Sequence, residues 1–351
     1  MTIRFDSASS PARGVELWKK LSGDRFPMVW VALIGLLLLC VFLQPGTLGA
    51  AALFSMLPFA AVLMIASIGQ LLTIQSGGMD MSVPGSMTLA AAVVTGVAGR
   101  EDDLLGLAVM LALVAVLIGG LLNGMAITLL RIPPIVATLA VNALLIGVVQ
   151  SYTGGVLQAV PPSLFRIASG RTFGVPHTLI VAVLFVGITA FVMMKTTWGR
   201  RLVAVGAQPA SARAAGIGVS RYLIGTYAAA GLCFGVAGIL LAGYLETPAT
   251  SIASPYLFST ITAVVIGGTA LGGGRGRIIG TAVGALFLSQ LNVFLTATGA
   301  PPSMTYLVQA AAIAVAVLLN SPAAVSKLTS RLLKGNRRFP GAVKLEGTSA
   351  Q

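Results

Sequence analysis

The chain has 351 residues, of which 56% are hydrophobic and 9% charged, with a mean hydropathy of +0.95. A soluble domain carries about 25% charged residues, so the composition excludes an ordinary soluble enzyme or binding module. The net charge of +13 does not indicate nucleic acid either, because Lys and Arg come in short runs between apolar stretches and not on one basic face.

Residues 1–26 are polar and mixed in charge, longer than a signal-peptide n-region, and the apolar run after them reads as an uncleaved first helix. Ten apolar stretches follow, at about 27–43, 50–75, 78–99, 104–130, 134–153, 174–194, 222–244, 256–273, 278–298 and 303–320, most of them near the length that crosses a bilayer as a helix. The third is interrupted by Pro84 and Gly85, and the eighth ends in Gly272, Gly273 and Gly274. Both are expected to break where neighbours cover them, the one place irregular backbone survives at membrane depth. The expected fold is an all-α polytopic membrane protein of about ten transmembrane helices. A cytoplasmic segment, 1–26, precedes the transmembrane domain, 27–320, and a basic cytoplasmic tail, 321–351, follows it.

Lys and Arg give the orientation. With ten spans and the N-terminus inside, only Arg100, Arg166 and Arg171 fall outside, and the other 19 of the 22 basic residues fall inside. Cytoplasmic loops are enriched in Lys and Arg, so both termini are expected in the cytoplasm. A faint internal repeat accompanies this topology. Pro84, then Ala92-Val93-Val94 and Gly96, match Pro255, then Ala263-Val264-Val265 and Gly267. Leu122-Asn123 matches Leu291-Asn292, and Pro133-Pro134 matches Pro301-Pro302. This relates stretches 2–5 to stretches 7–10. An offset of five spans is odd, so the two units have opposite orientation, an inverted repeat of the kind transporters use.

Chemistry-bearing residues are few. Cys40 and Cys233 sit alone in apolar runs, and His177 is the only histidine, which argues against a metal site or a catalytic triad. Asp80 is the one acidic residue within an apolar stretch. With Ser82 it can cap the third helix, or it can stand on a substrate or proton path. One carboxylate is thin support for an ion-coupled carrier. No Lys follows a Gly, so there is no phosphate-binding loop and no energy source in this chain. Neutral polar residues are more numerous: Gln70, Asn123, Asn142, Gln150, Thr262, Ser289, Gln290, Asn292 and Gln309. A polyhydroxyl solute needs such groups along its path, and so does hydrogen bonding between helices. In the longest inner loop, Pro209 suits a first helical turn and Gly216 a C′ position, with about two turns of small residues between them.

At these residues the sequence resembles the permease subunits of ribose/xylose/galactose-type ABC importers. Gly77-Gly78-Met79-Asp80-Met81-Ser82-Val83 resembles the family's Gly-Gly-Ile-Asp-Leu-Ser-Val segment. Arg131-Ile132-Pro133-Pro134-Ile135-Val136-Ala137-Thr138-Leu139 resembles its Arg-Ile-Pro-Pro-Phe-Ile-Val-Thr-Leu segment. Ala263-Val264-Val265-Ile266-Gly267-Gly268-Thr269, then Gly273-Gly274-Arg275-Gly276, resembles its most specific signature, and the loop from Thr197 to Ile217 matches too. Where the family loop carries Glu-Ala-Ala, this chain has Ala210-Ser211-Ala212.

The resemblance implies a transport subunit, not an enzyme, working as a dimer of permeases with a cytoplasmic ABC ATPase and a periplasmic sugar-binding protein. ATP and Mg would lie on the ATPase and no cofactor on this chain. Membrane lipid is the remaining partner, and nucleic acid has no place. The loop holding Gly206, Pro209, Ala212, Arg213 and Gly216 would couple ATP-driven closure to transport. Gln70, Asn123, Asn142, Thr262, Gln290 and Asn292 are the residues expected along a sugar path. The same architecture also carries branched-chain amino acids or nucleosides in related permeases.

Overall fold

The computed structural model describes residues 28–320; the segment expected at 1–26 and the tail expected at 321–351 lie outside the described residues. In chain order come α1 (Met28–Leu43), α2 (Ala50–Gln75), α3 (Val83–Ala98), α4 (Leu105–Thr128), α5 (Pro134–Thr153) and α6 (Pro162–Ser169). A short hairpin, β1 (Arg171–Thr172) and β2 (Val175–Pro176), precedes α7 (His177–Lys195), α8 (Thr197–Ala207) and α9 (Pro209–Ala214). The chain closes with α10 (Val219–Leu245), α11 (Tyr256–Ile266), α12 (Ile278–Ala297) and α13 (Pro302–Asn320).

Among the described residues six helices, α2, α4, α5, α7, α10 and α12, are long and apolar enough to cross a membrane, and α1, α3, α11 and residues 303–314 of α13 form shorter apolar helices. Each of the ten expected stretches contains one of them. Two boundaries differ from expectation for a backbone reason. The third stretch becomes helical only at Val83, after Gly77 turns with φ 94° and Pro84 sets the first helical turn. The eighth stops at Ile266, because Gly268, Gly273 and Gly274 all take positive φ.

The centre is built from α2 and α10, which pack on each other and are the most buried of the spanning helices. Around them α2 also packs on α11 and α12, while α10 packs on α3 and α4. Within each half the remaining three helices touch one another: α3, α4 and α5 on one side, α11, α12 and α13 on the other. Exchanging α2–α5 for α10–α13 leaves this set of neighbours unchanged. Small residues permit the close approaches. A methyl group on Gly120 of α4 would lie 2.4 Å from the Tyr227 carbonyl oxygen of α10, and one on Gly284 of α12 would lie 2.3 Å from the Ala263 carbonyl oxygen of α11. Large apolar side chains on α1, α4, α5 and α7, among them Phe42, Met110, Leu144 and Phe191, point outward. In water such a surface would aggregate; on a spanning helix it is the lipid face.

The two ends differ. One end brings together residues 75–82, 131–134, 195–218 and 267–277, joined by the contacts described below. At the other, the Ser163 backbone N–H donates to Asp102 at 2.8 Å, Arg166 lies 3.5 Å from Asp102, and Val160 donates to the Glu246 carbonyl. Arg171 caps the ring of Phe54 there, 4.5 Å from its centroid.

Candidate functional site: a glycine junction and two polar centres

The unwound segment 77–82 is a polar knot between α2 and α3. Asp80 is fully buried, and its Oδ1 accepts from both the backbone N–H (2.8 Å) and the hydroxyl of Ser82. Asn123 of α4 donates to the same hydroxyl at 2.8 Å. From α5, Thr138 Oγ1 accepts the Met81 N–H at 3.0 Å and Asn142 Oδ1 accepts the Gly85 N–H at 2.8 Å. Pro133 is the N-cap of α5 and Pro134 begins the helix. Pro134 and the Tyr227 hydroxyl lie so close to Gly78 that a side chain there would meet both. Ser82 is the N-cap of α3, yet its hydroxyl donates to Asp80 and caps nothing. The carboxylate holds the N-cap residue's own N–H instead, so Asp80 fixes the residue that precedes the helix. Asp80 Oδ2, Asn123 Oδ1 and the Tyr227 hydroxyl have no partner among the described residues.

Beside the knot, three distant segments meet backbone to backbone. The Gln75 carbonyl, at the end of α2, accepts the Gly274 N–H at 2.8 Å. A methyl group on Gly206 of α8 would fall 1.8 Å from that carbonyl oxygen, and one on Gly273 would fall 2.6 Å from the Gly206 oxygen and 2.9 Å from Gly77 Cα. Gly267 presses against Gly280, and Gly268 lies beside the Arg277 side chain. Thr269 Oγ1 accepts the Arg277 N–H at 3.1 Å.

The loop that enters this junction is ordered by its own chemistry. Pro209 opens α9. Gly216 closes it with φ 76°, its N–H donating to the Arg213 carbonyl and the Ile217 N–H to the Ala212 carbonyl. That is a Schellman closure, and it places Gly216 at C′ as its sequence position suggests. Ala212 is buried against Val205 and Val219 and anchors the helix. Pro209, Ala210, Ser211, Arg213 and Ala214 face outward.

The second polar centre lies at the opposite end, a cavity of about 360 Å³ between α2, α10, α11, α12 and α13. Asn292, Ser259, Ser289, Thr305 and Gln309 supply its polar lining, and Phe59, Tyr256 and Tyr306 its rings. No lining residue is charged. Gln309 Nε2 donates to Ser259 Oγ at 3.2 Å, while its Oε1 has no partner among the described residues.

The six expected path residues divide among these places. Asn123 and Asn142 are tied into the knot. Gln290 donates to Cys40 Sγ at 3.4 Å, and Thr262 donates to the Phe258 carbonyl within α11. Gln70 is fully buried in α2, both amide atoms unpartnered among the described residues. Asn292 alone of the six lines the cavity. Phe59, Tyr256 and Ser259 were not singled out by sequence; the polar and aromatic content of α11 was the available signal for Tyr256 and Ser259, and Phe59 in α2 carried none. Among the described residues no group of His, Cys, Asp or Glu comes together to hold a metal ion.

A family model described as "Branched-chain amino acid transport system / permease component" matches residues 52–317. The ribose import permease protein of Escherichia coli (strain K12) is 33% identical over 318 residues, covering 86% of this chain and 98% of that protein. The galactofuranose transporter permease protein of the same organism is 33% identical over 85% of this chain and 86% of its own length. The fructose import permease protein of Rhizobium meliloti is 30% identical over 90% and 91%. No solved structure matches the chain. Matched over most of its length by this model and these relatives, the chain is a multi-pass membrane transport subunit and belongs to the branched-chain amino acid transport system / permease component family.

Proposed function

We propose that this chain is the pathway subunit of an ATP-driven ABC importer, passing a monosaccharide delivered by a periplasmic binding protein across the inner membrane. The observation that carries this reading is the glycine junction. Through Gly206, the exposed α8–α9 loop touches the end of α2 and the Gly273-Gly274 turn with no side chain between. A push on that loop from a cytoplasmic ATPase therefore reaches both halves of the bundle directly. The loop's exposed face of small residues and Arg213 is the docking surface, and a second permease subunit completes the assembly.

The topology supports this placement. The junction end carries Arg131, Lys195, Arg200, Arg201, Arg213, Arg221, Arg275 and Arg277, whereas Arg100, Arg166 and Arg171 lie at the other end. By the bias of cytoplasmic loops toward Lys and Arg the junction end is cytoplasmic. This placement supports the reading of ten spans with both termini inside. The cargo reading is supported by the relatives named for ribose, galactofuranose and fructose. The family's name refers to branched-chain amino acids, but an uncharged cavity suits a neutral polyol better than a zwitterion, whose two charges need partners when buried.

The test is uptake in cells expressing the chain with its ATPase and binding protein. Sugar uptake should vanish when the ATPase is deleted and survive an uncoupler. Uptake that persists without the ATPase and collapses with the uncoupler would identify an ion-coupled carrier instead.

A further inference from the structure

We propose that the cavity lined by Asn292, Gln309, Ser259, Phe59 and Tyr256 binds one monosaccharide within the subunit, as the outer station of the transport path. The inference rests on the importer reading above and adds a location and a recognition chemistry to it.

Size is the first argument. Ligand pockets run from about 300 to 1,000 Å³, and 360 Å³ lies at the small end, where a single sugar ring fits and an oligosaccharide does not. Lining is the second. A sugar presents hydroxyls around its rim and C–H groups on its faces. Here amides and hydroxyls from α11, α12 and α13 converge on a space walled by aromatic rings from α2 and α11, with no charge among them.

The third argument is an unmet hydrogen bond. Gln309 is 6% exposed, so its Oε1 cannot fall back on bulk water, and no protein group reaches it among the described residues. A buried acceptor without a partner is costly, and rotation of the Gln309 amide, whose side chain lines the cavity, would turn it to a ligand hydroxyl.

The fourth argument comes from the repeat. Asn123 and Asn292 are matched in sequence and stand at the same point of their helices, five residues before the ends of α4 and α12. Asn123 donates its amide to a hydroxyl, that of Ser82 in the chain's own unwound segment. Asn142 of α5 and Gln309 of α13 are not a sequence pair, since the proline match aligns Asn142 with Ala310, yet each reaches the first turns of the short helix of its half: Asn142 accepts from Gly85 in α3 and Gln309 donates to Ser259 in α11. In the first half both amides bond to the chain itself, Asn123 through its Nδ2 and Asn142 through its Oδ1, although Asn123 Oδ1 has no partner among the described residues. In the second half Asn292 Oδ1 accepts the Thr305 hydroxyl at 3.4 Å, and the open space beside the pair can take a ligand's hydroxyls. The position at the end opposite the glycine junction suits a station that receives sugar from outside.

The experiment uses the full chain in the membrane with its ATPase and binding protein. Asn292→Cys places an exposed thiol at the cavity, while native Cys40 and Cys233 are buried. Labelling from outside by a membrane-impermeant maleimide is followed with and without D-ribose, D-galactose, D-fructose and D-xylose at millimolar concentration. The sugar that the wild-type complex imports should slow labelling several-fold, and a sugar that it does not import should leave it unchanged. In parallel Gln309→Leu should cut uptake about tenfold, with Leu307→Ala, on the outer face of α13, as the neutral control. If wild type imports none of the four, the monosaccharide reading falls and this inference with it. If wild type imports one, yet that sugar neither protects the cysteine nor depends on Gln309, the importer reading stands and the cavity proposal is overturned.

Discussion

The Gln75 carbonyl oxygen sets what residue 206 can be. A Cβ at that position would lie 1.8 Å away, well inside van der Waals contact, and the carbonyl is itself committed to the Gly274 N–H. Gly206→Ala is therefore expected to displace the α8–α9 loop and cost about 1–3 kcal/mol, the usual range for overpacking. The check is thermal denaturation in detergent together with ATP-stimulated uptake; an alanine variant with wild-type melting and transport would remove the junction from the mechanism. Asp80 supports a second expectation. Asp80→Ala takes the acceptor away from the buried Ser82 N–H and hydroxyl and should destabilise by about 1–3 kcal/mol. Asp80→Asn keeps one carbonyl acceptor and should fall between wild type and alanine. If Asp80→Asn assembled with wild-type stability but transported nothing, the carboxylate would be on the path and not only in the fold. The glycines and Asp80 were legible in the sequence, as motif residues. Their meeting was not, because residues 75–77, 206 and 273–274 are joined by backbone groups that every residue carries.

At the scale of elements, α9 was readable because its two ends carry specific chemistry, Pro209 for a first turn and Gly216 for a left-handed close. The burial of Ala212 was not readable: in a run of small residues nothing marks which face turns inward. This splits the expected effect of bulk on the loop. Ser211→Trp, on the exposed face, should leave stability intact and uncouple ATP hydrolysis from uptake. Ala212→Trp, facing Val205 and Val219, should lower the melting temperature as well. Equal behaviour of the two variants would show that α9 has no docking face. The region from Gly154 to Pro176 had no legible elements, since α6 and the hairpin are held by long-range contacts. Asp102 supplies the first turn of α6 with an acceptor from 61 residues away. Hydrogen bonds from Ser163 above all, with Arg166 adding to them, hold its carboxyl below the ordinary range. A depressed folded value stabilises the tie at every pH above the unfolded value, and the tie is lost as pH falls through the folded one. Protection of the Ser163 amide, with its intrinsic pH-dependent exchange divided out, should accordingly be high at neutral pH and fall in acid. Asp102→Asn should flatten that profile, and an unchanged acid dependence in this variant would contradict the assignment.

For the whole molecule, the interchange symmetry of the packing turns a faint sequence match into an architectural statement. The paired prolines and asparagines gave the offset, but weak apolar similarity alone does not say which helices touch. The neighbours do: each half's long helix is sheathed by the short and third helices of the other half. Neither half buries its own long helix. Fragments 1–173 and 174–351, cut at the exposed Phe173–Gly174 turn, should therefore reassemble when co-expressed and be degraded when expressed singly. Recovery of a folded, protease-resistant single half would contradict this. The membrane setting was legible from composition, whereas the lipid faces of α1, α4, α5 and α7 and the division of the neutral polar residues between knot and cavity needed the three-dimensional pairing.

The shortness of α11 bears on how the protein is made. Eleven residues rise roughly 16 Å, about half of the hydrocarbon thickness of a bilayer, and non-helical turns flank them on both sides. Such a segment cannot be released into lipid by itself, because its unpaired N–H and C=O groups need protein around them. During synthesis it has to wait until α12 emerges, and it then packs between α12 and the earlier α2. The interval between translating Ile266 and Ala297 is thus a window in which the nascent chain is incompletely inserted and open to membrane proteases, and it closes only when Gly280 and Gly284 settle against α11.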